Sequence, residues 1–235
     1  AGAGIDIVGG SRIVLQDNLL EDSGTGFALR LSGGVRDSLV TGTTVLGAGG
    51  AGISVSGLSQ RIVVADTLID AASGDGLSLD RASCLRIEGL AILRGQSVGL
   101  RLRSSAGIEV SGGAILQNRT AAIAIHGQPA GAPLLLADLT IAGNGVGLKG
   151  WGTTGVDLRR VELRDQLPQL FEGDLAPFTA RYLASSQQRG EPEFSIRLAA
   201  FEPPATPIPA SLAINETQAF LPPGALPWGP DCLGD

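Results

Sequence analysis

Along the first two-thirds of the chain, short apolar–polar–apolar stretches recur behind a Gly or Ala: GIDIVG, ALRLSG, GISVSG, GLSLDR, GLRLRS, AIAIHG and GLKGWG. Their lead residues, Ile5, Leu29, Ile53, Leu77, Leu100, Ile123 and Leu148, are spaced 24, 24, 24, 23, 23 and 25 residues apart. A second apolar column follows inside the units at Leu19, Val45, Leu68, Ile92, Ile115, Ile141 and Leu163. Fixed-period self-similarity marks a stack of equivalent units, none of which can bury its apolar face alone. Within a unit the alternation has period two, which predicts strands. The asparagine-centred consensus and helical segment of a leucine-rich repeat, the rival of similar period, are missing. About 24 residues per unit, cut by Gly, Ser, Asn and Asp, leave room for three short strands with their turns. The expectation is an all-β solenoid, a parallel β-helix of about seven coils with one continuous apolar interior.

The repeat stops near LPQLFEGDLAPF, which divides the chain into a β-helix over 1–170 and an appendage over 171–235. Eleven of the thirteen prolines and five of the six phenylalanines lie from Pro168 onward. FTARYL, FSIRLAAF and SLAIN read there as strands between Pro-rich turns. An open parallel edge recruits other chains, so this Pro-rich tail is expected to cap the last coil and fold back along the helix. The opposite end, AGAGIDIV, enters directly into a coil. Either an upstream segment has been removed, or that edge meets a protein partner or a second copy.

Alternation also assigns the outward columns. With Ile5/Ile7, Leu77/Leu79, Leu100/Leu102 and Ile123/Ile125 inside, one outward column reads Asp6, Arg30, Ser54, Ser78, Arg101, Ala124, Lys149. The other reads Val8, Ser32, Ser56, Asp80, Arg103, His126, Trp151. Equivalent residues on successive coils sit about 4.8 Å apart. Asp80, Arg103, His126 and Trp151 therefore form an unbroken row, flanked by Arg101 and Lys149. It holds the only His, the only Lys and one of two Trp in the chain. Arginines pair with carboxylates and an indole covers a sugar face, so the row suits an anionic polysaccharide. For proton abstraction from a uronate, His126 is the candidate base and Arg103 or Arg101 the neutralising cation. Asp80 would orient a neighbour, while Lys149 and Trp151 join Arg101 in holding substrate.

The net charge of −6 argues against nucleic acid, whose partners present a basic surface. The longest apolar runs, such as PLLLADL, are too short to span a bilayer. The absence of Met suggests a processed product or an excised fragment. Cys84 and Cys232 fit no metal spacing and leave two readings open, one long-range disulfide or two idle thiols. No metal site and no cofactor is expected, since Asp80 alone is too little for calcium. The Gly-rich GTGFALRLSGG and GAGGAGIS are turns, not phosphate loops. NRT at Asn118 and NET at Asn215 match the short glycosylation pattern.

From its repeat pattern, Ala1 to about Leu170 resembles the right-handed parallel β-helix superfamily. That group includes pectin lyase-like polysaccharide enzymes, periplasmic mannuronan C5-epimerases and a β-helix protein of copper-site maturation in nitrous oxide reductase. The resemblance implies right-handed coiling, a periplasmic or secreted location, and a polysaccharide lying along one face. It also implies epimerase or lyase activity at that face, with a non-catalytic scaffold or assembly factor as the alternative. Mannuronan epimerases carry their histidine in an Asp-Pro-His-Asp motif, where this chain has IAIHGQ. Direct copper handling is disfavoured, because Met and any Cys/His cluster are lacking.

Overall fold

A computed structural model describes residues 4–129, 134–152, 155–166, 169–173, 178–180, 183–186, 197–198 and 232. The first three coils each contribute three short strands. They are β1 (Ile5–Val8), β2 (Val14–Gln16) and β3 (Leu19–Glu21), then β4 (Leu29–Ser32), β5 (Arg36–Thr41) and β6 (Thr44–Leu46), then β7 (Ile53–Ser56), β8 (Gln60–Ala65) and β9 (Leu68–Asp70). From the fourth coil onward the second and third strands fuse into one long bent strand. These coils are β10 (Leu77–Asp80) with β11 (Ser83–Leu93), β12 (Val98–Arg103) with β13 (Ala106–Leu116), β14 (Ala121–His126) with β15 (Leu134–Ala142), and β16 (Val146–Trp151) with β17 (Val156–Arg164). Beyond them lie β18 (Gln169–Gly173), β19 (Phe178–Ala180), β20 (Leu183–Ser186) and β21 (Arg197–Leu198).

All strand pairing among the described residues is parallel. One sheet runs β1-β4-β7-β10-β12-β14-β16-β18 and the other is built on β2-β5-β8-β11-β13-β15-β17. The chain is a parallel β-helix, as its periodicity predicts. The lead column is in register on every rung, Ile5 on Leu29, Leu29 on Ile53, Ile53 on Leu77, and so on to Leu148. Leu29, Ile53, Leu77, Leu100, Ile123 and Leu148 are fully buried in one continuous core.

The second column needs a correction at two places. Leu20, not Leu19, lies under Val45, and Ile69, not Leu68, lies between Val45 and Ile92. Leu19 is 62 % exposed while Ile69 is fully buried. Strands of three residues holding two adjacent apolar side chains leave the phase of the alternation ambiguous, and a one-residue slip reverses every face. Parallel pairing also continues past Leu170. Phe171 of β18 lies under Leu148, and β19 and β20 both pair with β17. The Pro-rich cap, including the SLAIN strand and most of FSIRLAAF, falls outside the described residues. Its one described anchor is Cys232, bonded to Cys84 with the two Cα atoms 5.6 Å apart. The disulfide reading is therefore the one realised.

Polar ladders hold the coils together where apolar columns cannot. The Gly95 N–H donates to Asn118 Oδ1, the Asn118 N–H to Asn144 Oδ1, and the Asn144 N–H to Gln166 Oε1. All three amide side chains are essentially inaccessible, which satisfies the corner backbone without water. Asn118 is thus a structural corner residue, and its NRT triplet is closed to glycosylation. Asn215 lies outside the described residues. On the surface, arginines pair with the aspartate of the preceding coil: Asp6–Arg30, Asp37–Arg61, Asp70–Arg94 and Asp138–Arg160.

Candidate functional site

The outward row forms as the alternation predicts. Asp80 lies beside Arg103, Arg103 beside His126, and His126 beside Trp151 on neighbouring strands. The parallel row runs Ser78, Arg101, Ala124, Lys149 and then Glu172. Each residue of the Asp80–Trp151 row is the last before a left-handed corner, formed by Arg81, Ser104, Gly127 and Gly152 with φ of 51°, 48°, 59° and 60°. These corners turn the backbone away and leave the four side chains along one rim of the sheet. Gly127 removes the Cβ cost of that conformation next to His126.

His126 and Trp151 stack, with ring centroids 4.6 Å apart and planes 27° apart. The Lys149 ammonium lies 4.9 Å from the Trp151 ring centroid and 2.7 Å from Glu172 Oε1. Trp151 remains 39 % exposed. The expected bare indole platform is therefore a composite, an imidazole and an indole sharing one surface two rungs wide. Burial against this surface, and then the charges of Arg101, Arg103 and Lys149, hold the His126 imidazole below its ordinary value of 6.5. At neutral pH it is an unprotonated base with one ring face against Trp151.

The cations are unequal. Arg101 donates from Nε and Nη2 to Asp75, at 2.5 and 3.0 Å, and Asp75 also accepts from Ser97 Oγ at 2.8 Å. That pair is partly buried, and its charge is compensated on the spot. Arg101 is thus held within the protein by Asp75. Arg103 is exposed and, although Asp80 is its in-register neighbour, it makes no ion pair among the described residues. Asp80 meets Arg81 at 3.7 Å with both side chains open to water. Ala124, in the expected outward column, is only 1 % exposed and packs with Val98, Ala121 and Val146 in a small apolar cluster apart from the main core.

Sequence reasoning missed Asp75 and Glu172. Asp75 sits in a corner outside the repeat, and Glu172 lies past the point where the repeat fades. Their signal was spacing, since Glu172 follows Lys149 by 23 residues, one coil. Among the described residues no group of three or more His, Cys, Asp or Glu is placed to hold a metal ion. No helix there is long and apolar enough to cross a membrane.

No protein-family model matches the sequence, and no curated protein matches it significantly. Solved structures do. A mutant of the periplasmic alginate epimerase AlgG matches at 14 % identity over 79 % of this chain and 42 % of that one, with a TM-score of 0.54. The receptor binding domain of the siphovirus 9NA tailspike matches at 8 % identity, covering 88 % of this chain and 53 % of that one, with a TM-score of 0.43. The enzymatically active domain of bacteriophage CBA120 tailspike protein 2 matches at 13 % identity over 72 % and 23 %, with a TM-score of 0.32. This chain spans less than half the length of the epimerase chain. At such identity the likeness to AlgG is one of fold.

Proposed function

We propose that this parallel β-helix binds an anionic polysaccharide outside the cytoplasm, along the row Asp80–Arg103–His126–Trp151. The observation that carries the reading is the juxtaposition of the exposed Arg103, which makes no ion pair among the described residues, with the stacked His126–Trp151 pair one and two rungs away. Arg103 offers a fork of N–H donors to a sugar carboxylate. The imidazole–indole surface offers apolar contact to a ring beside it. Lys149, paired with Glu172, covers the far side of the indole. The Cys84–Cys232 disulfide suits an oxidising compartment such as the periplasm or the exterior. One structural neighbour is an alginate epimerase, so chemistry on an acidic polysaccharide occurs on this fold.

The row also contains the parts for a first chemical step. An unprotonated His126 takes the C5 proton of a uronate while Arg103 neutralises its carboxylate, so charge developing at C5 is delocalised into a paired group. Epimerisation then returns a proton to the opposite face of C5. Elimination instead forms a C4–C5 double bond as the C4–O bond breaks, with the proton passing to the leaving oxygen. The only tyrosine, Tyr182, lies outside the described residues, so the second proton has no assigned donor. Binding is therefore the primary reading, and modification of a uronate the activity to be tested within it.

The test is a screen of the full chain against alginate, polygalacturonate, hyaluronan and neutral glucans at low salt. It follows binding, ultraviolet absorbance of unsaturated products, and hydrogen exchange at C5. Saturable binding of an acidic polymer, lost in Arg103→Ala, sustains the proposal. Absorbance gain or C5 exchange assigns lyase or epimerase activity. No binding to any acidic polymer overturns it.

A second reading, a non-catalytic scaffold, is favoured by one observation. Val8, Val14 and Leu19 of the first coil are 70 %, 41 % and 62 % exposed, and among the described residues β1, β2 and β3 each pair on one side only. A partner protein adding a parallel coil there would cover both the apolar side chains and the open backbone groups. A stable complex lost in Val14→Lys, with no glycan binding, would select it.

A further inference from the structure

We infer that the ligand of this row carries its carboxylates on alternate sugars, an acidic sugar flanked by uncharged ones, and not a carboxylate on every sugar. The inference rests on the reading above and concerns which acidic polysaccharide the row admits. Its basis is the pairing of charge along the rim. Arg101 is held by Asp75 and Lys149 by Glu172, while Arg81 has Asp80 at 3.7 Å. Arg103 is the one cation of the row that makes no ion pair among the described residues, Asp80 being turned to Arg81. The row therefore has a place for a single carboxylate.

What flanks that place excludes a second one. Asp80 is one rung to one side of Arg103, and its side chain is open to water. On the other side come two rungs of uncharged ring surface, His126 and Trp151, and then, in the neighbouring column of the following strand, Glu172 paired with Lys149. At about 4.8 Å per rung, Asp80 and Glu172 stand roughly 19 Å apart along the helix axis. A glycan lying along this axis with its carboxylate on Arg103 places the next ring over His126 and Trp151. That surface gives apolar contact and no free cation. A charge on that ring would be desolvated without a partner, and a charge on the ring in the other direction would face Asp80. Both are unfavourable. An uncharged sugar meets neither penalty.

The experiment is a titration of the full chain with size-matched oligosaccharides at equal carboxylate concentration and low salt. One set is from hyaluronan, with a uronate at every second sugar. The other is from alginate or polygalacturonate, with a uronate at every sugar. The expected result is binding of the alternating set about tenfold tighter. The double variant Asp80→Asn, Glu172→Gln removes both acids and so releases Lys149, and it should close most of that gap by strengthening the fully charged set. Equal or tighter binding of the fully charged set by the unaltered protein overturns this inference and leaves polysaccharide binding intact. An unchanged ratio in the double variant overturns the charge argument in the same way. Failure of both sets to bind overturns this inference and the reading beneath it together.

Discussion

The His126 imidazole lies against the Trp151 indole, centroids 4.6 Å apart, because the two side chains occupy the same outward position on adjacent parallel strands. In-register stacking of parallel strands turns a 25-residue separation into one rung of a sheet. The same rule brings Arg103 beside His126 and makes a single rim from residues dispersed over a third of the chain.

Trp151→Ala should uncover the imidazole. Burial is the leading cause of its lowered proton affinity, so the His126 value should move up toward 6.5 in the variant. The chain has one histidine, so its single imidazole signal can be followed by NMR against pH without assignment. An unmoved titration would mean that neighbouring charge, and not the indole, sets the shift.

The pH dependence of binding follows with a definite sign. The folded protein holds the His126 proton less tightly than the unfolded chain, so protonation costs stability as pH falls below about 6.5 and contributes nothing above it. A bound carboxylate beside His126 reverses this preference, so binding takes up a proton. Affinity for an acidic oligosaccharide should rise about threefold to tenfold between pH 7.5 and 5. His126→Gln should flatten that profile. A profile that stays steep in the variant would assign the proton to another group.

Arg101 and Arg103 are the same residue type two positions apart but differ in role. Arg103→Ala should weaken acidic-glycan binding about tenfold with little change in melting temperature, because its side chain is exposed and unpaired. Arg101→Ala leaves Asp75 without its guanidinium, although Ser97 and the Val98 N–H still donate to it. It should cost about 1–2 kcal/mol of stability in denaturant titrations, moderated by partial exposure. The reverse pattern would exchange the two assignments.

The lead column was legible to the residue, because strands of four to six residues with clean alternation leave one phase. The second column was legible only to within one residue at Leu19/Leu20 and Leu68/Ile69, where two apolar neighbours share a three-residue strand. The rim followed from alternation alone, but its charge balance did not. Asp75 and Glu172, which pair with Arg101 and Lys149, lie in a corner and past the fading repeat. Asn118 stood out only as the start of an NRT triplet and Asn144 not at all, since no local pattern marks a corner amide whose partners are a coil away. The Cys84–Cys232 bond spans 148 residues and had no signature beyond the presence of two cysteines.

Asn144→Ala tests the buried amide ladder. It removes the acceptor of the Asn118 backbone and side-chain N–H groups, and the donor to Ile115 O and Ala142 O. Buried groups left unpaired cost about 1–3 kcal/mol each, so the loss should reach about 2–4 kcal/mol after relaxation. Chemical denaturation measures it. A loss under about 0.5 kcal/mol would show that the ladder is dispensable.

The central claim is that the rim at Arg103, His126 and Trp151 is where an acidic glycan binds. Its most direct measurement is an NMR titration of the single imidazole with hyaluronan oligosaccharides at low salt, in the unaltered chain and in Arg103→Ala. The account predicts a saturable shift of the His126 signals that is lost in Arg103→Ala. Binding detected by calorimetry with the His126 signals unmoved would contradict it, and would place the glycan elsewhere on the helix.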